Sequence, residues 1–248
     1  MDYFLLIVIG FITGIINTLA GGGSLLTLPL LIFLGLPPNI ANGTNRIAIL
    51  LQSVVSAAGF RSKGVKTFPH SIYFGISAMI GAMIGAQIAV DIKGETFNKI
   101  LAVVMVFVVA FLVFQGKKKQ QDYLERLTGK YFWLSVIAFF FIGIYGGFIQ
   151  AGTGFLMLLA LSGINHYSLV KSNAIKVIVA LIYTISAVVI FIVNDKVNWE
   201  YGLILALGNA SGGWIGSRWS VTKGDGLVKL FLVIMVVIMA IKLWFFNG

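Results

Sequence analysis

Few residues in this chain can do chemistry, and their positions narrow what that chemistry is. The acidic residues are Asp2, Asp91, Glu95, Asp122, Glu125, Asp195, Glu200 and Asp225. All of them fall near a terminus, in a polar loop or at the edge of an apolar stretch. Cation carriers and carboxylate proton relays hold such a group inside the membrane, where it is costly and therefore functional; these acids do not fit that class. The histidines, His70 and His166, also stand at segment edges, and the chain has no cysteine. No ligand cluster is visible, so neither a metal nor a cofactor is expected. Hydrolysis needs a nucleophile, a base and an orienting group together. No such set is legible, which makes an intramembrane enzyme the weaker reading.

The cations and glycines are placed differently. Arg46 follows Asn45 at the head of one apolar segment, and Lys171 and Lys176 flank Asn173 at the head of another. Lys176 lies inside the run AIKVIVALIY. These cations either snorkel to the headgroups or offer positive potential to an anion. AGGGS (20–24) sets Gly21, Gly22 and Gly23 ahead of Ser24, and QAGTGF (150–155) sets Gln150, Gly152, Thr153 and Gly154 in a similar place. Each glycine costs about 1 kcal/mol relative to alanine inside a helix. In lipid, irregular backbone is tolerated only where protein buries it or where it lines a cavity. A helix starting at Ser24 would aim its free N–H groups at the break, and a helix N-terminus attracts anions. Two such breaks meeting near the midplane would build an anion site from backbone amides, hydroxyls and side-chain amides. The alternative for either loop is a tight turn or close helix packing.

The elements around these residues are membrane helices. The chain has 248 residues, 59% hydrophobic and 10% charged, with a mean hydropathy of +0.99. Spanning the hydrocarbon core takes about 20 apolar residues. Segments of that kind fall at roughly 3–20, 24–36, 46–60, 69–90, 97–115, 131–150, 153–164, 171–193, 199–217 and 227–246. The second and seventh are short for full spans and read as half-helices or re-entrant pieces. The fold class is an all-α membrane protein, and the long unalternating apolar runs exclude a β-barrel. MDYFLLIVIGF lacks the basic region of a secretory signal and reads as a retained first segment. The net charge of +10 follows from basic loops under the positive-inside rule, so no nucleic-acid partner is expected. GAMIGA (81–86) and GGWIGS (212–217) carry small residues at four-residue spacing, the pattern of closely packed helices.

The two sides of the polar loop 116–130 are alike. FITGIINTLAGGGS (11–24) is similar to FFIGIYGGFIQAGTG (140–154), GTNRIAILLQ (43–52) to KSNAIKVIVA (171–180), and GAMIGA to GGWIGS. Three matches in the same order imply a duplication: a first repeat over 1–115, a cytoplasmic linker over 116–130 and a second repeat over 131–248. Each half has about five segments, so the second copy enters from the opposite side. The basic loops agree. Arg61, Lys63 and Lys66 mark one cytoplasmic loop, Lys117, Lys118 and Lys119 a second, and Arg218 with Lys223 a third, whereas VNDKVN (193–198) is nearly neutral and falls outside. Both termini are then periplasmic. Inverted repeats with broken helices are a recurring plan of secondary transporters.

These residues carry a resemblance. GIINTLAGGGSLLTLPLL (14–31), ANGTNRIAILLQSVVSA (41–57) and GIYGGFIQAGTGFLMLLAL (143–161) resemble the sulfite exporter TauE/SafE family of membrane permeases, over essentially the whole chain. The resemblance implies transport of a small sulfur-containing anion, sulfite or an organosulfonate such as sulfoacetate, across a bacterial inner membrane. It points to Gly21, Gly22, Gly23, Ser24, Thr44, Asn45, Gly152, Thr153, Gly154, Ser172 and Asn173. The charge and amide argument adds Arg46, Gln150 and Lys176. The expected partners are the anion, the bilayer and, as an open question, further copies of the chain. An anion channel, or an importer of thiosulfate or a thiolated base, stands as the alternative.

Overall fold

The computed structural model describes residues 2–114 and 124–222. The tenth segment expected over 227–246, Lys117 to Lys119 and Lys223 lie outside the described residues. Those described are helical, with no strand among them: α1 (Asp2–Leu19), α2 (Ser24–Phe33), α3 (Pro38–Ser62), α4 (His70–Asp91), α5 (Gly94–Phe114), α6 (Lys130–Phe148), α7 (Thr153–Gly163), α8 (Leu169–Val193) and α9 (Trp199–Thr222). By length and composition, α4, α6 and α8 are apolar enough to cross a membrane. α3 and α9 are about as long, 25 and 24 residues, but α3 buries polar side chains such as Asn42, Asn45, Arg46 and Gln52. Large apolar side chains face outward along the bundle, among them Phe4, Ile80, Ile88, Phe141, Val189 and Leu207. A surface this apolar is suited to lipid.

Two of the expected boundaries move. α3 begins at Pro38, not near residue 46, because the Pro37–Pro38 pair starts the helix: proline at the first helical position loses no intrahelical bond. Arg46 therefore sits two turns inside α3 rather than at its head. α8 begins at Leu169, where the hydroxyl of Ser168 accepts the Lys171 N–H at 3.3 Å.

Close contacts at glycines fix the helix directions. Along α1 and α9, Gly10 faces Leu205, Gly14 faces Asn209, and Gly216 faces Ile15 and Thr18, so the two helices run parallel. α3 joins them in the same sense, with Gly202 near Thr44 and Gly59 against Ser217. A second parallel set is α4, α6 and α8. Gly81 lies on Phe140, Gly85 on Ile144 and Gly75 on Ile182. The sets are antiparallel to each other: Gly43 near the start of α3 meets Phe191 near the end of α8, while Phe60 packs with Ala174 and Val177. α9 thus packs against helices of the first half, and α4 against helices of the second. The expected small-residue faces provide these contacts. A Cβ at Gly81, Gly85 or Gly212 would overlap a carbonyl of the neighbouring helix, so only glycine permits the approach.

The short helices α2 and α7, of 10 and 11 residues, are the half-helices expected from the glycine breaks. α5 covers both. Phe97, Leu101, Ala102 and Met105 form one apolar cluster with Leu25, Leu26 and Leu28 of α2, Phe155 of α7, and Ile149 and Ala151 of the second break. The interrupted backbone is therefore buried in protein, as a break at membrane depth requires.

Candidate functional site

The two breaks touch. A Cβ built on Gly21 would overlap the Cα of Gly154, and one built on Gly154 would overlap Gly21. Gly21 has φ +86 and Gly152 φ +74, conformations that suit glycine. Gln150 takes φ +61, which costs a residue with a Cβ on the order of 1 kcal/mol. Its geometry is held from several sides. The Gln150 carbonyl accepts the Thr153 hydroxyl at 2.6 Å, and its Nε2 donates to Thr184 Oγ1 at 3.2 Å and Tyr183 OH at 3.5 Å. Its Oε1 is buried without a hydrogen-bond partner.

Beside this contact lies a small polar cavity. α1 and the first break contribute Asn17, Gly21 and Ser24; α3 contributes Ile49, Gln52 and Ser53; the second break and α7 contribute Gln150, Thr153, Gly154 and Met157; α8 contributes Lys176, Val177, Ala180 and Tyr183. Its volume is about 20 Å³, room for a single water. Lys176 is charged and only 3% exposed. Its Nζ donates to the carbonyls of Asn17 (3.0 Å) and Thr18 (2.9 Å) and to Asn173 Oδ1 (2.7 Å). A lysine held this way does not snorkel. It places a cation at the C-terminal end of α1, where helix carbonyls favour one, and no carboxylate lines the cavity among the described residues. Around it, Asn17 donates to Gln52, Gln52 to Thr18, and Thr18 pairs with Ser56.

Arg46 makes the counterpart arrangement in the other half. Its Nη1 donates to the Gly146 carbonyl (3.0 Å) and its Nη2 to Gly147 (2.6 Å) and Asn42 Oδ1 (3.2 Å), at the end of α6. The guanidinium lies 4.7 Å from the Phe191 ring centre. Each long central helix thus holds the end of the other half's first helix with a cation, and an asparagine of the same helix accepts from that cation. Asn42 and Asn173 are both fifth residues of their 25-residue helices. Arg46 is fully buried but does not line the cavity.

Of the expected site residues, Gly21, Ser24, Gln150, Thr153, Gly154 and Lys176 line the cavity. Others stand behind it. Asn45 bonds Ser24 Oγ (3.2 Å) and Thr27 Oγ1 (2.6 Å), fixing the start of α2. The Gly22 carbonyl accepts the Leu25 N–H, also in that first turn. Gly23 has φ −56, and a Cβ there would overlap Asn17 and the Thr13 carbonyl; it serves packing against α1. Gly152 caps the start of α7. The rest lie apart. Thr44 Oγ1 accepts the Asn198 N–H and Ser172 bonds the Tyr167 carbonyl at 3.5 Å. Asn173 instead stands behind the cavity, its Oδ1 accepting Lys176 Nζ and its Nδ2 donating to Ser220. Lys171 pairs with Glu125 at 2.6 Å toward the surface. Sequence reasoning missed Asn17, Gln52, Ser53 and Tyr183. The available signal was polar residues inside apolar helix, as in AILLQSVVSA.

The sulfite exporter TauE/SafE family profile matches residues 6–243. The chain belongs to the sulfite exporter TauE/SafE family. Full-length relatives agree with this membership. A "probable membrane transporter protein" of Haemophilus influenzae is 26% identical over 244 residues, covering 98% of this chain and 95% of the relative. One from Sinorhizobium sp is 27% identical over 238 residues, covering 96% and 90%. The "probable membrane transporter protein YfcA" of Escherichia coli is 27% identical over 236 residues, covering 95% and 87%. No solved structure matches. As a TauE/SafE protein, the chain is a membrane permease, and the cavity between its helix breaks is its candidate substrate site.

Proposed function

We propose that this permease exports a small sulfur-containing anion, sulfite or an organosulfonate such as sulfoacetate, from the cytoplasm across a bacterial inner membrane. The observation that carries the reading is the cavity where the two breaks meet. It gathers the Lys176 ammonium with the side chains of Asn17, Ser24, Gln52, Gln150 and Thr153, and no carboxylate among its described lining residues. An anion entering there would replace carbonyl partners of Lys176 with its own oxygens, a charge-assisted exchange. The family's description favours sulfite among small anions. Export suits an anion, because an inside-negative potential of 100 mV drives one charge outward with about 2.3 kcal/mol. The water-sized cavity favours a carrier, which must open to load, over a continuously open channel.

The test is flux of labelled sulfite, thiosulfate, sulfoacetate and taurine in proteoliposomes of the cysteine-free parent, Lys176→Ala and Lys99→Ala. Lys99 is exposed and paired with Glu95, and it is not among the residues lining the cavity. Saturable efflux of a sulfur oxyanion, reduced about tenfold by Lys176→Ala and unchanged by Lys99→Ala, is expected. Equal flux in all three proteins would refute the site, and no flux of any panel member would refute the substrate class.

A further inference from the structure

A second and larger space lies close to the substrate cavity. It is a groove of about 480 Å³ between the end of α3, the start of α4 and the first half of α8. Its walls include Ala57, Phe60, Phe68, Ala174 and Ile178, and Arg61 contributes the charged group of its lining. Lys63 and Lys66 follow in the same loop, so the groove opens at the most basic end of α3. Potential of this sign concentrates anions at its mouth.

One apolar cluster borders both the groove and the cavity. Phe60, Ala174 and Val177 form a buried cluster, with Ala57 and Val65 packed against it. Phe60 and Ala174 also line the groove, while Val177 also lines the cavity. Phe60 is 2% exposed. Its carbonyl accepts the Val65 N–H at 3.2 Å, where the loop folds back over the helix end. An apolar constriction of this kind blocks a hydrated ion until it widens.

We infer that this groove is the access route by which the anion reaches the cavity from the face carrying Arg61, and that the Phe60 ring is its gate. Arg61 attracts the anion to the mouth, and the cluster of Phe60, Ala174 and Val177 must part to admit it. The inference rests on the permease reading, but its test needs no transported substrate.

The parent has no cysteine, so Ser53→Cys places a single thiol in the cavity wall. Its reaction rate is measured in sealed vesicles with two membrane-impermeant reagents, the anionic sulfonatoethyl and the cationic trimethylammonioethyl methanethiosulfonate, applied from each side. Ser53→Cys alone should react slowly. Adding Phe60→Ala should raise the rate about tenfold or more from the Arg61 face only, with the anionic reagent favoured. Adding Arg61→Gln should shrink that preference by about threefold or more. Phe60→Leu keeps an apolar plug and should stay slow; Val177→Ala trims the cavity side of the cluster and replaces Phe60→Ala if that protein is not monodisperse. Phe191, near the end of α8, is the control, and Phe191→Ala should not speed labelling from the Arg61 face. Unchanged rates in both Phe60→Ala and Val177→Ala, or equal acceleration from both faces, would overturn the gate. Gated labelling in a protein that moves no sulfur anion would leave the gate standing and refute the substrate assignment instead.

Discussion

Gly21 and Gly23 belong to one tripeptide but serve different ends. Gly21 has a positive φ and lies backbone to backbone against Gly154; Gly23 has φ −56 and packs on α1. A methyl at either member of the Gly21–Gly154 contact would push the two breaks apart, and a backbone neighbour cannot rotate away as a side chain can. Gly21→Ala and Gly154→Ala should each cut transport about tenfold at matched membrane abundance, and the double variant should be little worse than either, because residues in contact do not act additively. Flux measured across this cycle decides the matter. A double loss equal to the product of the single losses would mean that the breaks work separately.

Helices in lipid gain little from burying apolar surface against one another, so close backbone packing must hold them. The contact of α4 with α6 shows this most directly, since Gly81, Gly85, Gly143 and Gly147 each meet a backbone carbonyl of the other helix. Gly85→Leu should cost about 1–3 kcal/mol through overpacking and lower the melting temperature by at least about 3 °C. Gly163, at the end of α7, has open space beside it, and Gly163→Leu should melt like the parent. Equal melting of the two variants in detergent would remove the close-packing account. The Arg46 and Lys176 caps act at the same scale. Each ties a central helix to the broken end of the opposite half's first helix, so the breaks are held by cations rather than left to fray.

For the whole molecule we propose two inverted repeats, 1–115 and 131–248, that exchange their fourth helices. α9 packs with α1 and α3, and α4 with α6 and α8. Ser62 ends α3, while the Lys196 carbonyl lies by Gly43 near the start of α3, so the two positions sit at opposite ends of the bundle. Single cysteines there should be labelled from opposite sides of the membrane, Ser62→Cys from the cytoplasm and Lys196→Cys from the periplasm. Labelling of both from one side would overturn the orientation.

Much of this was readable in one dimension. Apolar runs about 20 residues long and paired glycine clusters specify helices and breaks, because each depends on local composition. The start of α2 at Ser24 and the short lengths of α2 and α7 followed from that. The identity of the cavity residues did not. Asn45 and Lys176 both stood out as polar groups in apolar helix, yet only Lys176 faces the cavity, while Asn45 turns behind it to hold Ser24. Asn17, Gln52, Ser53 and Tyr183 come together from three helices whose relative rotation is set by glycine contacts distant in the chain. Arg46 is likewise assigned to the end of α6 by the antiparallel meeting of two halves. Local sequence encodes how deep a residue lies and that the backbone breaks there. Which neighbour a buried polar group finds depends on packing between segments far apart in the chain, and that packing is a property of the folded whole.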